Sequence, residues 1–440
     1  MLKKEVPGFF KARREALLRA HPGAAFILPA APEVIRNPDV HYPYRQESGF
    51  YYLSGFEEPQ SWLVVAPNKN SPGTSRMILF VRHNDPEKEI WEGARYGTEG
   101  AARVFGADAT YLFDDFSNKL PELLQDCERI FYRFGHSAEN DRVVFGALEP
   151  FRRGLDRAGK IMPALQDPSE ALGEMRLFKS AEEAALLRRA CEISALAHKT
   201  AMKEVRPGMN EYEIEALIDY SFRRQGCGRV GYSSIVAGGK NATCLHYHSN
   251  NERLRDGDLL LIDAGGEYDY YTADISRTFP IGRGFSDAQA TVYDLVLRAQ
   301  KEALAVAKPG ALLPDIHHRA TEVLVDGLLS LGLLKGKTEE IIRTGEHRRF
   351  YPHGTSHWLG MDVHDVGLYR KNSEPRPLEP GMCFTIEPGL YFQSNDRDVP
   401  EKFRNIGVRI EDDILITANG CENLTIGAPK ERAEIEALRS

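Results

Sequence analysis

The sequence predicts an α/β first domain followed by an α+β second domain that is built from two related halves. The chain has 440 residues, which is too many for a single ordinary hydrophobic core. Strand-like and helix-like segments alternate up to about residue 170, which is typical of an α/β domain. From residue 180 onward, one pattern of capped helices and apolar strands occurs twice. We therefore expect domains at residues 1–172 and 176–440.

The first domain is expected to begin with a helix within residues 1–23, which leads directly into a strand. The remaining elements follow from short apolar runs and are strands at 24–28, 62–66, 77–81 and 129–133, with a helix at 120–127. Residues 163–170 have a composition unlike either flank, and we interpret them as a linker.

The second domain is expected to contain two helix pairs with matching start signals. Three helix starts carry a cap residue followed three positions later by Glu or Gln, namely Ser180 with Glu183, Asn210 with Glu213, and Ser286 with Gln289. Pro-Gly pairs at 207–208 and 309–310 end the first helix of each pair, and glycines at 226 and 332 end the second.

Two strand-like segments also match each other, because residues 254–265 align without a gap with residues 378–389. Asp263 ends the first strand and Glu387 ends the second. Each is followed by a further strand-like run that reaches another carboxylate, Asp274 or Glu411. We expect Gly265-Gly266 to turn the chain, so that each half contributes an antiparallel hairpin with two carboxylates side by side.

These four carboxylates predict a metal site. Buried carboxylates repel one another and lose hydration, which is costly unless a cation lies between them. A single aspartate at a strand end is usually a turn residue or a helix cap. The interpretation therefore depends on four carboxylates in two matched hairpins, together with a histidine-rich segment.

That segment carries His353, His357 and His364 within twelve residues. Histidines four apart would share a helix face, as in HExxH zinc proteases, but Gly, Thr and Ser lie between them and no Glu follows the first. We therefore expect a loop or strand that presents one histidine as a ligand and the others around a substrate. His246 is equally compatible with a surface histidine and with a functional one.

Composition excludes several other classes of function. A formal net charge of −8 without a run of Lys or Arg disfavours nucleic acid and anionic membranes as partners. Six scattered cysteines indicate free thiols in a reducing compartment, and no stretch has the length of a membrane span. We expect the cytoplasm, with a mitochondrial transit peptide as the lesser alternative. No G-x-S-x-G elbow is present for Ser-His-Asp hydrolysis.

Four strings resemble those of the pita-bread metallopeptidases: residues 263–274, 353–367, 385–389 and 407–413. Within that family the chain is most similar to the bacterial aminopeptidases P, which are Xaa-Pro aminopeptidases. Residues 37–56 resemble the first domain of that group, so that the resemblance covers nearly the whole chain. It implies a catalytic pita-bread domain with a pseudo-twofold repeat, and a first domain that serves oligomerisation and substrate access.

The resemblance also implies a site for two metal ions. Asp274 and Glu411 would bridge both ions. Asp263 would bind one of them, while His357 and Glu387 would hold the other. The ions would be manganese (Mn²⁺), which suits an oxygen-rich donor set with one imidazole.

The reaction implied is release of the N-terminal residue from peptides with proline in second position, by a water or hydroxide shared between the two ions. His246 and His364 match histidines that contact the substrate and stabilise the tetrahedral intermediate. Glu387 would carry a proton to the proline nitrogen.

Four residues are expected to bind substrate. His353 matches a histidine of the proline pocket, where we also place Tyr232. Arg409 lies two positions before Glu411 and hence on the same strand face. Asp39, from a neighbouring first domain, is a candidate for binding the substrate's amino group. The resemblance also implies a homo-oligomer, either a dimer or a tetramer.

Several relatives remain as alternatives. A prolidase shares all five metal ligands but cleaves only Xaa-Pro dipeptides, and the ligands do not distinguish the two activities. Methionine aminopeptidases usually lack such a first domain, and creatinase has no metal. A non-catalytic binding module of the same fold would have lost ligands that this chain retains.

Overall fold

The computed structural model describes residues 8–68, 74–282 and 284–439, and the chain divides into two compact units, Met1–Leu172 and Gly173–Ser440. Among the described helices, none combines the length and the apolar character that crossing a membrane requires. Cys191, Cys227 and Cys383 are buried free thiols.

The first unit is an α/β domain around a six-stranded mixed sheet. Its elements are α1 (Phe9–Ala20), β1 (Ala24–Pro29), β2 (Ile35–Asn37), β3 (Val40–His41), α2 (Ser48–Ser54), β4 (Trp62–Pro67), β5 (Ser75–Val81), α3 (Pro86–Glu92), α4 (Gly97–Phe105), β6 (Ala109–Leu112), α5 (Phe116–Leu123), β7 (Arg129–Phe131), α6 (Ala138–Arg157) and β8 (Ala164–Gln166). The strand order is β6-β5-β4-β1-β7-β8. A following helix, α7 (Ser169–Leu177), leads into the second unit.

Helices pack on this sheet because its central strands are apolar on both faces. Every residue of β4 from Trp62 to Ala66 is buried, and the indole of Trp62 stacks on Phe116 of α5 with ring centroids 4.1 Å apart. The expected linker at 163–170 is wrong in part, because β8 pairs in parallel with β7 as the edge strand of the sheet. Three residues of strand carry too short a pattern to be recognised between two helices.

The second unit contains the helices and strands of the two halves. They are α8 (Ala181–Glu204), α9 (Glu211–Arg224), β9 (Arg229–Val230), β10 (Ile235–Gly238), β11 (Leu259–Asp263), β12 (Gly266–Tyr268), β13 (Tyr271–Thr272), β14 (Ser276–Pro280), α10 (Asp287–Val306), α11 (Leu313–Ser330), α12 (Thr338–Thr344), β15 (Arg370–Lys371), β16 (Glu374–Pro375), β17 (Cys383–Ile386), β18 (Gly389–Tyr391), β19 (Gly407–Arg409), β20 (Asp412–Thr417), β21 (Gly420–Asn423) and α13 (Arg432–Arg439).

The predicted helix starts are confirmed. Capping boxes form at the N-termini of α8, α9 and α10, where the cap side chain and the Glu or Gln three residues later each accept from the other's backbone N–H. The helices pack against the strands through a large core that includes Ile193, Phe222, Leu260, Phe279 and Val408.

The two halves repeat one strand arrangement. In the first half β11 pairs with β14 and β12 with β13, and in the second half β17 pairs with β20 and β18 with β19, all antiparallel. The expected turn at Gly265-Gly266 is wrong, because the chain turns at Asp269 and Tyr270, which have φ of 47° and 71°. A Cβ on Gly265 would lie 1.7 Å from the carbonyl oxygen of Ala273, so this glycine permits two strands to approach closely.

This repeat brings the four carboxylates to equivalent places. Asp263 is the last residue of β11, and Glu387 follows β17 directly. Asp274 lies in the break between β13 and β14, and Glu411 lies in the break between β19 and β20. The breaks free these residues from regular pairing, so that their side chains face the strand-end carboxylates.

We expect His198, which lies buried in α8, to make stability depend on pH. Its Nε2 donates to the carbonyl oxygen of Ala264, 2.9 Å away, and burial lowers its pKa to about 4 from about 6.5. As the pH falls, the unfolded chain therefore takes up a proton at His198 before the folded chain does. The stability of the folded state consequently falls as the pH drops from 6.5 towards 4. Between pH 7 and 5, the metal-free protein should lose about 2 kcal/mol more unfolding free energy than the His198→Gln variant.

Urea unfolding at both pH values measures this difference. Glutamine retains an N–H donor for Ala264 but does not titrate, so a loss of the same size in both proteins would contradict the assignment.

Candidate metal centre

One cavity of about 300 Å³ in the second unit collects all five predicted metal ligands, the three other histidines and the arginine singled out from the sequence. Its lining residues are Leu245, His246, Asp263, Asp274, His353, Gly354, Ser356, His357, His364, Glu387, Arg409 and Glu411. These residues come from both halves of the repeat and from loops 239–258 and 350–369, so the cavity forms only when the two halves are folded together.

The centre of the cavity has the geometry of a metal site. One potential ligand atom each of Asp274, His357 and Glu411 lies within 4.8 Å of the other two. Nε2 of His357 lies 3.3 Å from Oδ2 of Asp274 and 3.6 Å from Oε1 of Glu387. Carboxylate oxygens with a single imidazole form a donor set that a hard divalent cation prefers.

The electrostatics of the site also fit a bound cation. Burial raises the pKa of Asp274 and raises that of Glu387 to about 7, with other carboxylates as a further cause. Burial and the neighbouring carboxylates raise the pKa of Glu411 well above its usual range. Such groups resist ionisation together, and a divalent cation between them removes this penalty. The residues present therefore fit a metal ion.

His357 is oriented for this role by its backbone and its ring. Its Nδ1 lies 3.1 Å from the carbonyl oxygen of Trp358, where an N–H donates, and this leaves Nε2 facing the carboxylates. Burial alone would lower the pKa of His357, but Asp274 and Glu387 outweigh it and raise the pKa to about 9. The peptide N–H of Thr385 donates to the carbonyl oxygen of His357, which ties the loop to β17.

Arg409 lies inside the cluster, on the predicted face of β19. Its Nη2 donates to Oδ2 of Asp263 at 2.6 Å, and its Nε donates to Oγ of Ser276 at 2.7 Å. The Ser276 hydroxyl in turn donates to Oε2 of Glu411 at 2.7 Å. The guanidinium therefore neutralises part of the carboxylate charge and fixes the positions of two predicted ligands.

Tyr232 contacts two of the predicted ligands, and its predicted place in a proline pocket stays a prediction. Its hydroxyl lies 2.6 Å from Oδ1 of both Asp263 and Asp274. One hydroxyl proton serves only one of these oxygens, so this contact adds to the need for a cation. The side chain holds the two aspartates together from the buried side.

His353 forms part of a hydrogen-bonded chain that the sequence reasoning did not include. Its Nε2 lies 2.8 Å from the hydroxyl of Tyr391, which accepts from Nη1 of Arg409 at 3.1 Å. Burial, followed by the charge of Arg409, lowers the pKa of His353 to about 3, so the ring is neutral. A signal for Tyr391 was present, because Gly389 two residues earlier leaves the space that the phenol occupies: a Cβ there would lie 2.5 Å from its oxygen.

His364 lies against His357, with the two rings stacked and their centroids 4.0 Å apart. The next residue, Asp365, is buried between two cationic side chains, one on α7 and one just after the C-terminal end of that helix. Arg176 donates to its Oδ1, and Nζ of Lys179 lies 3.3 Å from its Oδ2. This buried ion cluster anchors the loop that presents His364, and the sequence reasoning missed it because its members lie far apart in the chain.

The remaining two predicted residues lie in loops. His246 lines the cavity from the loop that follows β10, beside Leu245. Asp39 belongs to the first unit, in the turn between β2 and β3, where it lines a separate cavity of about 730 Å³ with His41 and Trp91. Its predicted contact with substrate involves another copy of the chain and stays a prediction.

The strands that follow Asp274 and Glu411 are held together by a buried ion pair. Nη2 of Arg277 donates to Oδ1 of Asp412 at 2.6 Å, and both side chains are fully buried. Burial alone would raise the pKa of Asp412, but Arg277 and Lys430 hold it well below its usual range. This ion pair joins β14 to β20 directly beside the metal site.

Comparison with known proteins agrees with this geometry. The sequence model of metallopeptidase family M24 matches residues 185–418, and that of the aminopeptidase P N-terminal domain matches residues 10–132. The chain is 45% identical to the Xaa-Pro aminopeptidase of Escherichia coli over 98% of this chain and 97% of that protein. It is 40% identical to the Xaa-Pro aminopeptidase of Haemophilus influenzae over 100% and 98%.

Solved structures show the same fold over the full length. The aminopeptidase PepP of Pseudomonas aeruginosa superposes with a TM-score of 0.94 at 44% identity, covering 99% of this chain and 98% of that one. A variant of Escherichia coli aminopeptidase P in complex with substrate gives a TM-score of 0.93 at 44% identity, with the same coverage. The predicted fold class, an α/β domain followed by a pita-bread domain, is confirmed.

We expect Asp274→Ala to abolish tight binding of a divalent cation by removing a central ligand of the cluster. Added metal should raise the melting temperature of the original protein, since a ligand that binds only the folded state stabilises it. The variant should show little of this increase, although its metal-free form should be no less stable, because one repelling carboxylate is gone.

Metal content after dialysis and the melting temperature with and without metal measure this. Asp294→Ala serves as the control, because Asp294 is an exposed residue of α10 that pairs with Arg432. Full metal retention by the Asp274 variant would refute the assignment.

Proposed function

The chain belongs to metallopeptidase family M24, and we propose on this basis that it removes the N-terminal residue from peptides whose second residue is proline. The observation that carries the proposal is the single cavity that holds all five expected ligands together with His246, His353 and His364. The similarity to Xaa-Pro aminopeptidases extends over both units, which supports this activity above that of relatives with another first domain.

We assign the metal ligands as the family resemblance suggests. Asp263, Asp274, His357, Glu387 and Glu411 would hold two ions. Manganese suits the oxygen-rich set, although a zinc-substituted form of the Escherichia coli relative is known. When bound, the ions supply a Lewis acid and lower the pKa of a water molecule towards neutrality.

The protein side chains then handle charge and protons around the scissile bond. His246 and His364 line the cavity and donate hydrogen bonds to the oxygen on which negative charge develops. Glu387 holds a proton at its carboxylate and passes it to the leaving proline nitrogen.

Proline is recognised without a backbone N–H, because its nitrogen carries none once it is acylated. The shape of the pocket must therefore provide the recognition that a hydrogen bond from this nitrogen would otherwise provide. His353 is neutral and is fixed by Tyr391, so it presents a rigid ring wall to the pocket. Leu245 contributes an apolar surface to the same cavity.

The cellular location and the oligomeric state of the enzyme are proposed from its resemblance to the family. We place it in the cytoplasm, as a homo-oligomer in which the first domain provides the subunit contacts and Asp39 approaches the substrate of a neighbouring copy. Nucleic acid and membranes are not expected partners, because the net charge is −8. Prolidase remains the alternative activity, since it uses the same ligands.

Peptide length separates the two activities. Metal-free protein reconstituted with manganese should cleave Xaa-Pro-Xaa tripeptides, and tripeptides with alanine in second position should be poor substrates. Initial rates of amino acid release measure both. Cleavage of Xaa-Pro dipeptides alone would favour prolidase, and no cleavage of either peptide by metal-loaded protein would refute the proposal.

A further inference from the structure

Glu211, the first residue of α9, is a fully buried carboxylate outside the metal cluster. No ion pair of Glu211 occurs among the described residues of the chain, and four neutral donors surround it instead. Its Oε1 accepts from the peptide N–H of Gly238 at 2.8 Å and from Nδ2 of Asn241 at 2.9 Å. Its Oε2 accepts from the hydroxyl of Tyr247 at 2.8 Å and from the peptide N–H of Glu252 at 2.9 Å.

All four donors belong to one segment, residues 238–252, which begins at the last residue of β10 and contains a short 3-10 turn at Gly239–Thr243. Gly238 and Glu252 lie at its two ends, while Asn241 and Tyr247 lie within it. A single carboxylate therefore closes the segment into a loop. His246, the neighbour of Tyr247, faces the metal cavity from this loop.

The chemistry of the contact requires a carboxylate. An ionised carboxylate has about four acceptor sites and no donor, so it satisfies four converging donors at once. A glutamine of the same shape would direct an NH₂ group towards two of those donors and leave buried polar atoms unsatisfied. The loop therefore depends on the charge of Glu211, although Glu211 itself does not line the cavity.

Tyr247 links Glu211 directly to the chain neighbour of His246. The ring of Tyr247 packs on a small buried cluster that contains Ala237, Leu261 and Tyr391, and its hydroxyl is bound by Glu211. Burial, and then the contact with Glu211, raises the pKa of this phenol to about 12, so it remains a donor. Both ends of the Tyr247 side chain are thus fixed, which restricts the backbone from which His246 projects.

We propose that Glu211 is a positioning residue for His246: its four hydrogen bonds hold the 238–252 loop so that the imidazole faces the metal cavity. This inference rests on the proposed function, in which His246 contacts the substrate. Glu211 also contacts β10, which pairs with β11 and hence with Asp263. An effect through Asp263 would reduce metal binding, whereas an effect through His246 leaves metal binding intact.

The first experiment compares Glu211→Gln and Tyr247→Phe in the full-length, manganese-loaded enzyme with a Xaa-Pro-Xaa substrate. Misplacement of the histidine should lower kcat roughly 10- to 100-fold for Glu211→Gln. Loss of one hydrogen bond should lower kcat about fivefold for Tyr247→Phe, which is the milder variant if the first folds poorly. Metal content should equal that of the original enzyme in both.

Tyr132→Phe is the matched control, because Tyr132 also donates to a carboxylate, Oδ1 of Asp141 at 2.8 Å, but lies in the first unit. It should show a similar change in melting temperature to Tyr247→Phe and unchanged kcat. Unchanged kcat in Tyr247→Phe and in folded Glu211→Gln would overturn the proposal, as would loss of metal in parallel with loss of activity.

A double-mutant comparison then tests whether the effect runs through His246. In a His246→Ala background, the effect of either variant on kcat should shrink to less than about twofold, because the group being positioned is gone. An undiminished effect in that background would overturn the positioning role. Activity of His246→Ala equal to that of the original enzyme would instead refute the proposed function of His246, so the two failures are distinguishable.

Discussion

Four carboxylates share one largely buried cavity, and most of the surrounding structure compensates for their mutual repulsion. Burial raises the pKa of Asp274, Glu387 and Glu411, so ionising all of them together without a cation is unfavourable. Arg409 offsets part of the charge through Asp263, and a divalent cation would offset the rest. Affinity for a divalent cation thus follows from carboxylate charge that the side chains compensate only in part, and binding of a cation and stability of the folded state are coupled.

Some contacts hold the ligands through their backbone and not through their carboxylate oxygens. The peptide N–H of Asp274 donates to Oδ2 of Asp413 at 2.9 Å, which fixes the backbone of the ligand rather than its side chain. Arg277 and Asp412 fix the neighbouring strands in the same way. Because these contacts lie behind the ligands, they restrict ligand motion while the carboxylate oxygens keep lone pairs for the ion.

Much of the fold and of the site could be predicted because the signals are local. Capping boxes and the strand-end carboxylates are read from a few consecutive residues, and the two-metal ligand set followed from resemblance at those strings. The turn at Asp269 was missed because a Gly-Gly pair is the stronger local signal for a turn, whereas Gly265 serves a contact with Ala273. Strand β8 was missed because its three residues depend on pairing with β7.

The supporting residues of the site could not be predicted for a related reason. Asp365 meets Arg176 and Lys179, and Glu211 meets the 238–252 loop, across long stretches of sequence. In the sequence each is an ordinary acidic residue, and only tertiary packing shows that its charge is buried and fully hydrogen-bonded. The proposed placement of His246 therefore depends on Glu211, which lies outside the cavity, and the loop of His364 is anchored in a similar way by Asp365. A comparison restricted to the metal ligands would consequently treat as equivalent two chains that differ in how well these histidines are held.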